Sequence, residues 1–201
     1  MLVDHAVFRT VWTNFAPVIP GKLYRSNHPT PSHLAAAVRR HGIRTLVNLR
    51  GKRHCGSDAL SRQAAMRLHL LHHDMAFESR GAPHRDRILR FAALYPMLAF
   101  PALMHCKSGA DRAGLASGLA VLFEGGTAAE ASRQLSWRFG HWSKARTGVL
   151  DAFFVRYAQD AEGRIPFLEW VAHEYDEAAL KRDFVAGGLA SFVTDRVLRR
   201  E

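Results

Sequence analysis

Residues 105 to 112 read His105-Cys106-Lys107-Ser108-Gly109-Ala110-Asp111-Arg112. They place a thiol six positions before a guanidinium, with a glycine between them. A phosphate monoester dianion repels ordinary nucleophiles, so attack on it needs a strong nucleophile and neutralised equatorial oxygens. A thiolate is strong, and a helix N-terminus favours it by supplying partial positive charge and free N–H groups. The stretch from Lys107 to Asp111 can curl so that its amides converge on one anion. Gly109 permits a backbone conformation that a side chain would block. Arg112 closes the loop with a planar fork that matches two phosphate oxygens. The expected chemistry is attack of Cys106 on phosphorus, giving a phosphocysteine.

That chemistry requires a strand delivering the cysteine and a helix starting at the arginine. Pro101 to Met104 is a short apolar run that suits the strand. After Arg112 the chain is apolar on every helical face (Ala113, Leu115, Ala116, Leu119, Ala120, Val121, Leu122, Phe123), which marks an interior helix ended by Gly125 and Gly126. Thr127 caps the next helix, with Glu130 at the capping-box position. Upstream, Lys22 to Arg25, Ile43 to Leu49 and His69 to His72 read as strands. Helices are expected from Ser32 to His41, from Asp58 to Leu68 and over residues 84–95, where Pro96 stops the last. Further helices are expected at 145–158, at 166–176 and from 177 onward. Residues 2–15 show helical spacing, and Pro17, Pro20 and Gly21 then break the chain. Strands and helices alternate in the first half and helices dominate the second. This predicts an α/β fold with a central mixed, mostly parallel sheet flanked by helices.

The 201 residues suit one domain, with a core at about 20–160, an N-terminal helix and a C-terminal helical extension. Only two cysteines are present, Cys55 and Cys106, which is no disulfide framework. No signal peptide is evident, nor any window of the roughly 18 apolar residues a membrane span needs. A cytoplasmic monomer is the expectation. The net charge of +10 favours acidic partners such as phosphate esters, nucleic acid or anionic lipid. No nucleic-acid motif or aromatic–basic patch is evident, so nucleic acid is not an expected partner. Phe184, Leu189, Phe192, Val193, Val197 and Leu198, with Arg196, Arg199 and Arg200, form a basic amphipathic pattern. Such a helix either docks on the domain or makes peripheral contact with an anionic membrane.

The run His105-Cys106-x5-Arg112-Ala113-Gly114 resembles the signature loop of the protein tyrosine phosphatase superfamily. Its mid-chain position resembles the dual-specificity branch. Leu23-Tyr24-Arg25-Ser26 followed by Pro29, and the run from Gly42 to Arg50, look like the opening of bacterial and fungal atypical dual-specificity phosphatases. The likeness spans roughly residues 20–160 and implies a cysteine-phosphatase fold acting on phosphate monoesters without cofactor or metal. Its substrate would be a phosphoprotein, or an anionic lipid, inositol phosphate or lipid-linked sugar phosphate; Lys107 resembles a feature of lipid-directed relatives. A non-catalytic phosphate-binding module is the alternative of a different class. The family usually has Ser or Thr after the loop arginine, and this chain has Ala113. That bears on breakdown of the phosphoenzyme, not on the nucleophile.

The resemblance also implies a general acid on an upstream loop. Asp74 lies 32 positions before Cys106 and is the choice. Glu78 and Asp86 compete, with Asp86 expected inside a helix and facing solvent. Asp111 is expected to face outward or bond a neighbouring loop. Lys107, Ser108, Gly109, Ala110, Asp111 and Arg112 are the expected phosphate cradle. His105, Arg25 and Arg50 are supporting candidates, Arg25 and Arg50 because each follows or ends a strand near the site. Gln134 is a helix residue with an outside claim to orient water. His72 and His73 read as loop residues near the pocket, without metal-ligand spacing. Cys55 is either a plain loop thiol or a partner for Cys106 in a reversible disulfide.

Overall fold

A computed structural model describes residues 13–185. Five short strands form one sheet: β1 (Ala16–Ile19), β2 (Leu23–Ser26), β3 (Thr45–Asn48), β4 (Leu71–Asp74) and β5 (Ala102–His105). Their order is β1-β2-β5-β3-β4. β1 pairs antiparallel to β2, and all other pairings are parallel. The mixed, mostly parallel sheet expected from the alternation is therefore present. β2, β3 and β5 are buried at every position. A parallel strand covered on both faces reads as a continuous apolar run, not an alternating one.

The helices are α1 (Pro31–His41), α2 (Gly56–Arg67), α3 (Arg85–Leu94), α4 (Asp111–Phe123), α5 (Ala128–Ser132), α6 (Val149–Asp160) and α7 (Phe167–His173). Residues 177–185 are also helical. α4 is the central helix: Ala113, Leu115, Ala116, Leu119 and Ala120 are fully buried. Its small residues let neighbours approach. A Cβ on Gly118 would meet Phe154 Cζ at 2.5 Å and the Ala131 carbonyl at 2.9 Å. The core continues through Phe167, Trp170, Tyr175 and Leu180, so the segment beyond residue 160 packs into the same apolar interior.

Several boundaries differ from the sequence reading for local reasons. α1 is capped by Thr30, whose hydroxyl accepts from the His33 amide, because Pro31 takes the first helical position. The Thr127–Glu130 capping box is complete. β4 starts at Leu71, not His69, since His69 turns the chain at φ 54°. His72 and His73 are therefore strand residues, not loop residues. β1 was not expected at all: Pro17 and Pro20 read as breaks, but an edge strand tolerates a missing donor. Most of the helix expected over 2–15 lies outside the described residues, and residues 13–15 are not helical. The basic amphipathic C-terminal pattern lies almost entirely outside them too. Among the described residues, no helix is long and apolar enough to cross a membrane.

Candidate active site

Parallel pairing aligns the carboxyl ends of four strands. Ser26 registers with His105, His105 with Asn48, and Asn48 with Asp74. The segments leaving these residues share one edge of the sheet, where open α/β folds present ligand sites. Cys106 follows His105 directly and is 2% exposed. The loop then runs into α4, which begins at Asp111, so Arg112 sits in the first helical turn.

The loop's conformation follows from where its carbonyls go. The His28 amide donates to the Lys107 carbonyl at 3.4 Å. Asn14 Nδ2 donates to the Ser108 carbonyl at 3.0 Å. Arg25 Nη2 donates to the carbonyls of Gly109 at 2.7 Å and Ala110 at 3.1 Å. Four successive carbonyls are thus held by donors outside the loop. Turning carbonyls outward leaves the amides to converge inward, which is the geometry of an anion nest. The Gly109 amide donates to Cys106 Sγ at 3.2 Å. Gly109 has φ 77°, and a Cβ there would meet the Asn27 nitrogen at 2.7 Å and Asn14 Nδ2 at 2.9 Å. Both the backbone angle and the space exclude other residues.

Arg25 is the chief brace. It is wholly buried and also donates through Nη1 to the Gln134 carbonyl at 2.6 Å. Its guanidinium lies 3.9 Å from the centre of the Phe139 ring. Burial lowers its pKa to about 10, and the neighbouring Cys106 sulfur works against that fall by favouring the cation. Arg25 was expected to reach the site from the end of a strand; it reaches the back of the loop. Gln134 lies in a turn beyond α5, not on a helix, and serves this brace with both its carbonyl and Oε1.

Burial lowers the Arg112 pKa, the Cys106 sulfur opposes that, and Arg50 and Arg53 add to the lowering. Arg50 and Arg53 are thus near enough to Arg112 to disfavour its positive charge. An anion bound at Arg112 would offset that effect. Arg50 has its amide fixed by Asn48 Oδ1 at 3.1 Å. His105 is fully buried, and burial with the nearby His28 drives its pKa well down, so it is a neutral imidazole.

Asp111 meets a neighbouring loop, as its position suggested. His141 Nδ1 donates to Asp111 Oδ1 at 2.8 Å and His141 Nε2 donates to Asp151 Oδ2 at 2.7 Å. Both nitrogens can donate only in the imidazolium form. Burial alone would lower the His141 pKa; the hydrogen bonds to Asp111 and Asp151 outweigh it and raise it from 6.5 to about 9.

Asp74 ends β4. Arg62 Nη2 donates to both its oxygens, at 2.8 and 2.9 Å, and Asn48 Nδ2 donates to Oδ1 at 3.0 Å. Asn48 also donates to Asp58 Oδ1, and Arg62 Nε to Asp58 Oδ2. Glu78 pairs with Arg87 and His84, and Asp86 pairs with Arg90 on an exposed face of α3. Cys55 is exposed at the N-terminus of α2, apart from the buried Cys106. The braces Asn14, Asn48, Asp58, Arg62 and His141 were all missed by sequence reasoning. Only Asp58 and Arg62 leave a trace, as an i,i+4 pair on a helix.

No protein-family profile and no curated protein matches the chain. Solved structures do. TpbA from P. aeruginosa is 20% identical, with TM-score 0.58 over 80% of this chain and 92% of that one. The same protein has been solved in complex with pTyr. The core catalytic domain of the PP-IP phosphatase SIW14 from S. cerevisiae, in complex with citrate, is 15% identical, with TM-score 0.50 over 88% of this chain and 93% of that one. A putative phosphatase from Neisseria meningitidis is 21% identical, with TM-score 0.53 over 69% and 96%. The resemblance read from the signature loop and these likenesses agree, and the chain has the fold of the protein tyrosine and dual-specificity phosphatases.

Proposed function

We propose that the protein is a cysteine-dependent phosphatase that hydrolyses phosphate monoesters through a phosphocysteine intermediate. The observation that carries this reading is the loop itself. Its carbonyls from Lys107 to Ala110 are all held from behind, its thiol lies at the base, and Arg112 opens the following helix. Such a cradle neutralises the equatorial oxygens of a phosphoryl group while holding sulfur below phosphorus. Cys106 Sγ attacks phosphorus and the ester P–O bond breaks. Water then attacks phosphorus, and the S–P bond breaks to release inorganic phosphate. Arg112 and the loop amides bind the oxygens in both steps. Arg50 and Arg53 add positive charge near Arg112, which suits a strongly anionic substrate.

Asp74 is our candidate for protonating the leaving oxygen and then deprotonating the water. Its support is its place at the carboxyl end of β4, in register with Asn48 and hence one strand further from His105. Arg62 Nη2 holds both of its carboxylate oxygens, so that clamp must loosen for Asp74 to reach the leaving oxygen. Ala113 provides no hydroxyl for the sulfur, and the Gly109 amide is the donor that stabilises the departing thiolate.

The test is hydrolysis of p-nitrophenyl phosphate by the wild type and by Cys106→Ser, with chelator present. Turnover by the wild type alone supports the cysteine mechanism. Full activity in Cys106→Ser overturns it. If neither protein turns over but both bind phosphate or vanadate, the loop is a binding module and not a catalyst.

A further inference from the structure

The loop from Arg133 to Arg146 carries a surface that phosphate chemistry leaves unused. Its inner side is tied to the phosphate loop: Phe139 stacks under Arg25, the Phe139 carbonyl accepts from Asn14, and His141 holds Asp111. Its outer side exposes two tryptophans, Trp137 at 83% and Trp142 at 65%. Arg133, Arg138, Lys144 and Arg146, on the same loop, are exposed too. No carboxylate occurs between Glu130 and Asp151. Arg138, Lys144 and Arg146 form no ion pair among the described residues. No aromatic–basic patch was expected, yet Arg133, Trp137, Trp142 and Lys144 line one recess. Between the two indoles lies a recess of about 410 Å³, lined also by Arg133, Leu135, Ser136, His141, Ser143 and Lys144.

We propose that this loop docks the protein on an anionic phospholipid bilayer. Indole rings favour the headgroup level, where the ring is half in hydrocarbon and the N–H remains wet. Cations nearby gain from the negative surface potential, and the two carboxylates closest to the recess, Asp111 and Asp151, are bridged by His141. The recess between the indoles is of headgroup size, and its walls combine cations and two hydroxyls with Leu135 and the indoles, which suits a lipid phosphate and its glycerol. A single-stranded nucleic acid would need a cationic groove tracking several nucleotides, and this patch is one short loop around one recess. Because the loop's inner side is fastened to the phosphate cradle, docking would hold that cradle beside the membrane surface. The docking itself does not depend on Cys106 or on turnover.

The experiment is co-sedimentation with vesicles of phosphatidylcholine alone and of phosphatidylcholine with phosphatidylglycerol. The full chain, Trp137→Ala/Trp142→Ala, Lys144→Glu/Arg146→Glu and Cys106→Ser are compared. The wild type and Cys106→Ser should sediment with the anionic vesicles only. Each double variant should partition about tenfold less or weaker still, given the loss of interfacial area or of two favourable charges. Both should keep wild-type hydrolysis of p-nitrophenyl phosphate if the wild type has it, and a wild-type circular dichroism spectrum in any case. If one double variant misfolds, the other decides. The proposal fails if the wild type ignores anionic vesicles, or if both double variants bind them as the wild type does. It also fails if these variants abolish a self-association or bind oligonucleotides or phosphopeptides less well while vesicle binding persists.

Discussion

Replacing His141 by Gln should make the protein's stability respond to pH in a way the wild type reveals. The side chain is 0% exposed and bridges Asp111, 24% exposed, to Asp151, 27% exposed. A pKa raised from 6.5 to about 9 corresponds to about 3 kcal/mol of preference for the charged form in the folded state. The folded pKa lies above the unfolded one, so this contribution is complete below pH 6.5 and disappears as pH rises through about 9. Denaturant unfolding of both proteins from about pH 6 to about pH 10 reads the effect. At the acid end, the wild type should exceed His141→Gln by about 3 kcal/mol, or roughly 6–12 °C in Tm for a chain of this length. At the alkaline end, the two should converge to within about 1 kcal/mol, because glutamine keeps some hydrogen bonding but has no proton to lose. A difference that stays constant across the range would refute the charged bridge. Since Asp111 opens α4 beside the cradle, inhibition by inorganic phosphate should weaken in the variant along with its stability.

Other perturbations separate the brace, the proton transfer and the sulfur. Gly109→Ala should cost at least about 2 kcal/mol and abolish phosphate binding, because its Cβ would stand 2.7 Å from the Asn27 nitrogen; retained vanadate inhibition would contradict the loop geometry. Arg25→Met should lower stability by about 3–5 kcal/mol, since three buried carbonyls lose a charged donor, and Arg25→Lys should not restore the loop because it lacks the planar fork; urea unfolding and p-nitrophenyl phosphate kinetics test both. Asp74→Asn should reduce kcat by roughly 10²-fold or more on phenyl phosphate and much less on p-nitrophenyl phosphate, whose leaving group needs little protonation; equal losses on both would remove Asp74 from proton transfer. Ala113→Ser should speed phosphoenzyme breakdown several-fold, seen as a smaller burst in rapid-quench kinetics, by giving the sulfur an added donor of about 1 kcal/mol. An unchanged burst would show that the Gly109 amide suffices.

The site's chemistry was legible in the chain because it is local. Cys106, Gly109 and Arg112 lie within one turn of loop and helix, so their spacing alone dictates what they can hold, and the apolar runs on either side dictate a buried strand and a buried helix. The capping box at Thr127 and the parallel strands were legible for the same reason: each depends on neighbours a few residues away. What surrounds the loop was not. Asn14, Arg25 and His141 reach it from 94, 84 and 30 residues away in sequence, and no periodicity records such a pairing. The clamp of Arg62 on Asp74 likewise exists only because β3 and β4 pair in register beside α2. Buried polar groups must find partners wherever the fold brings them, so the partner is decided by packing and not by the residue type. The exposure of Trp137 and Trp142 is likewise a product of packing, since an indole's residue type alone favours burial.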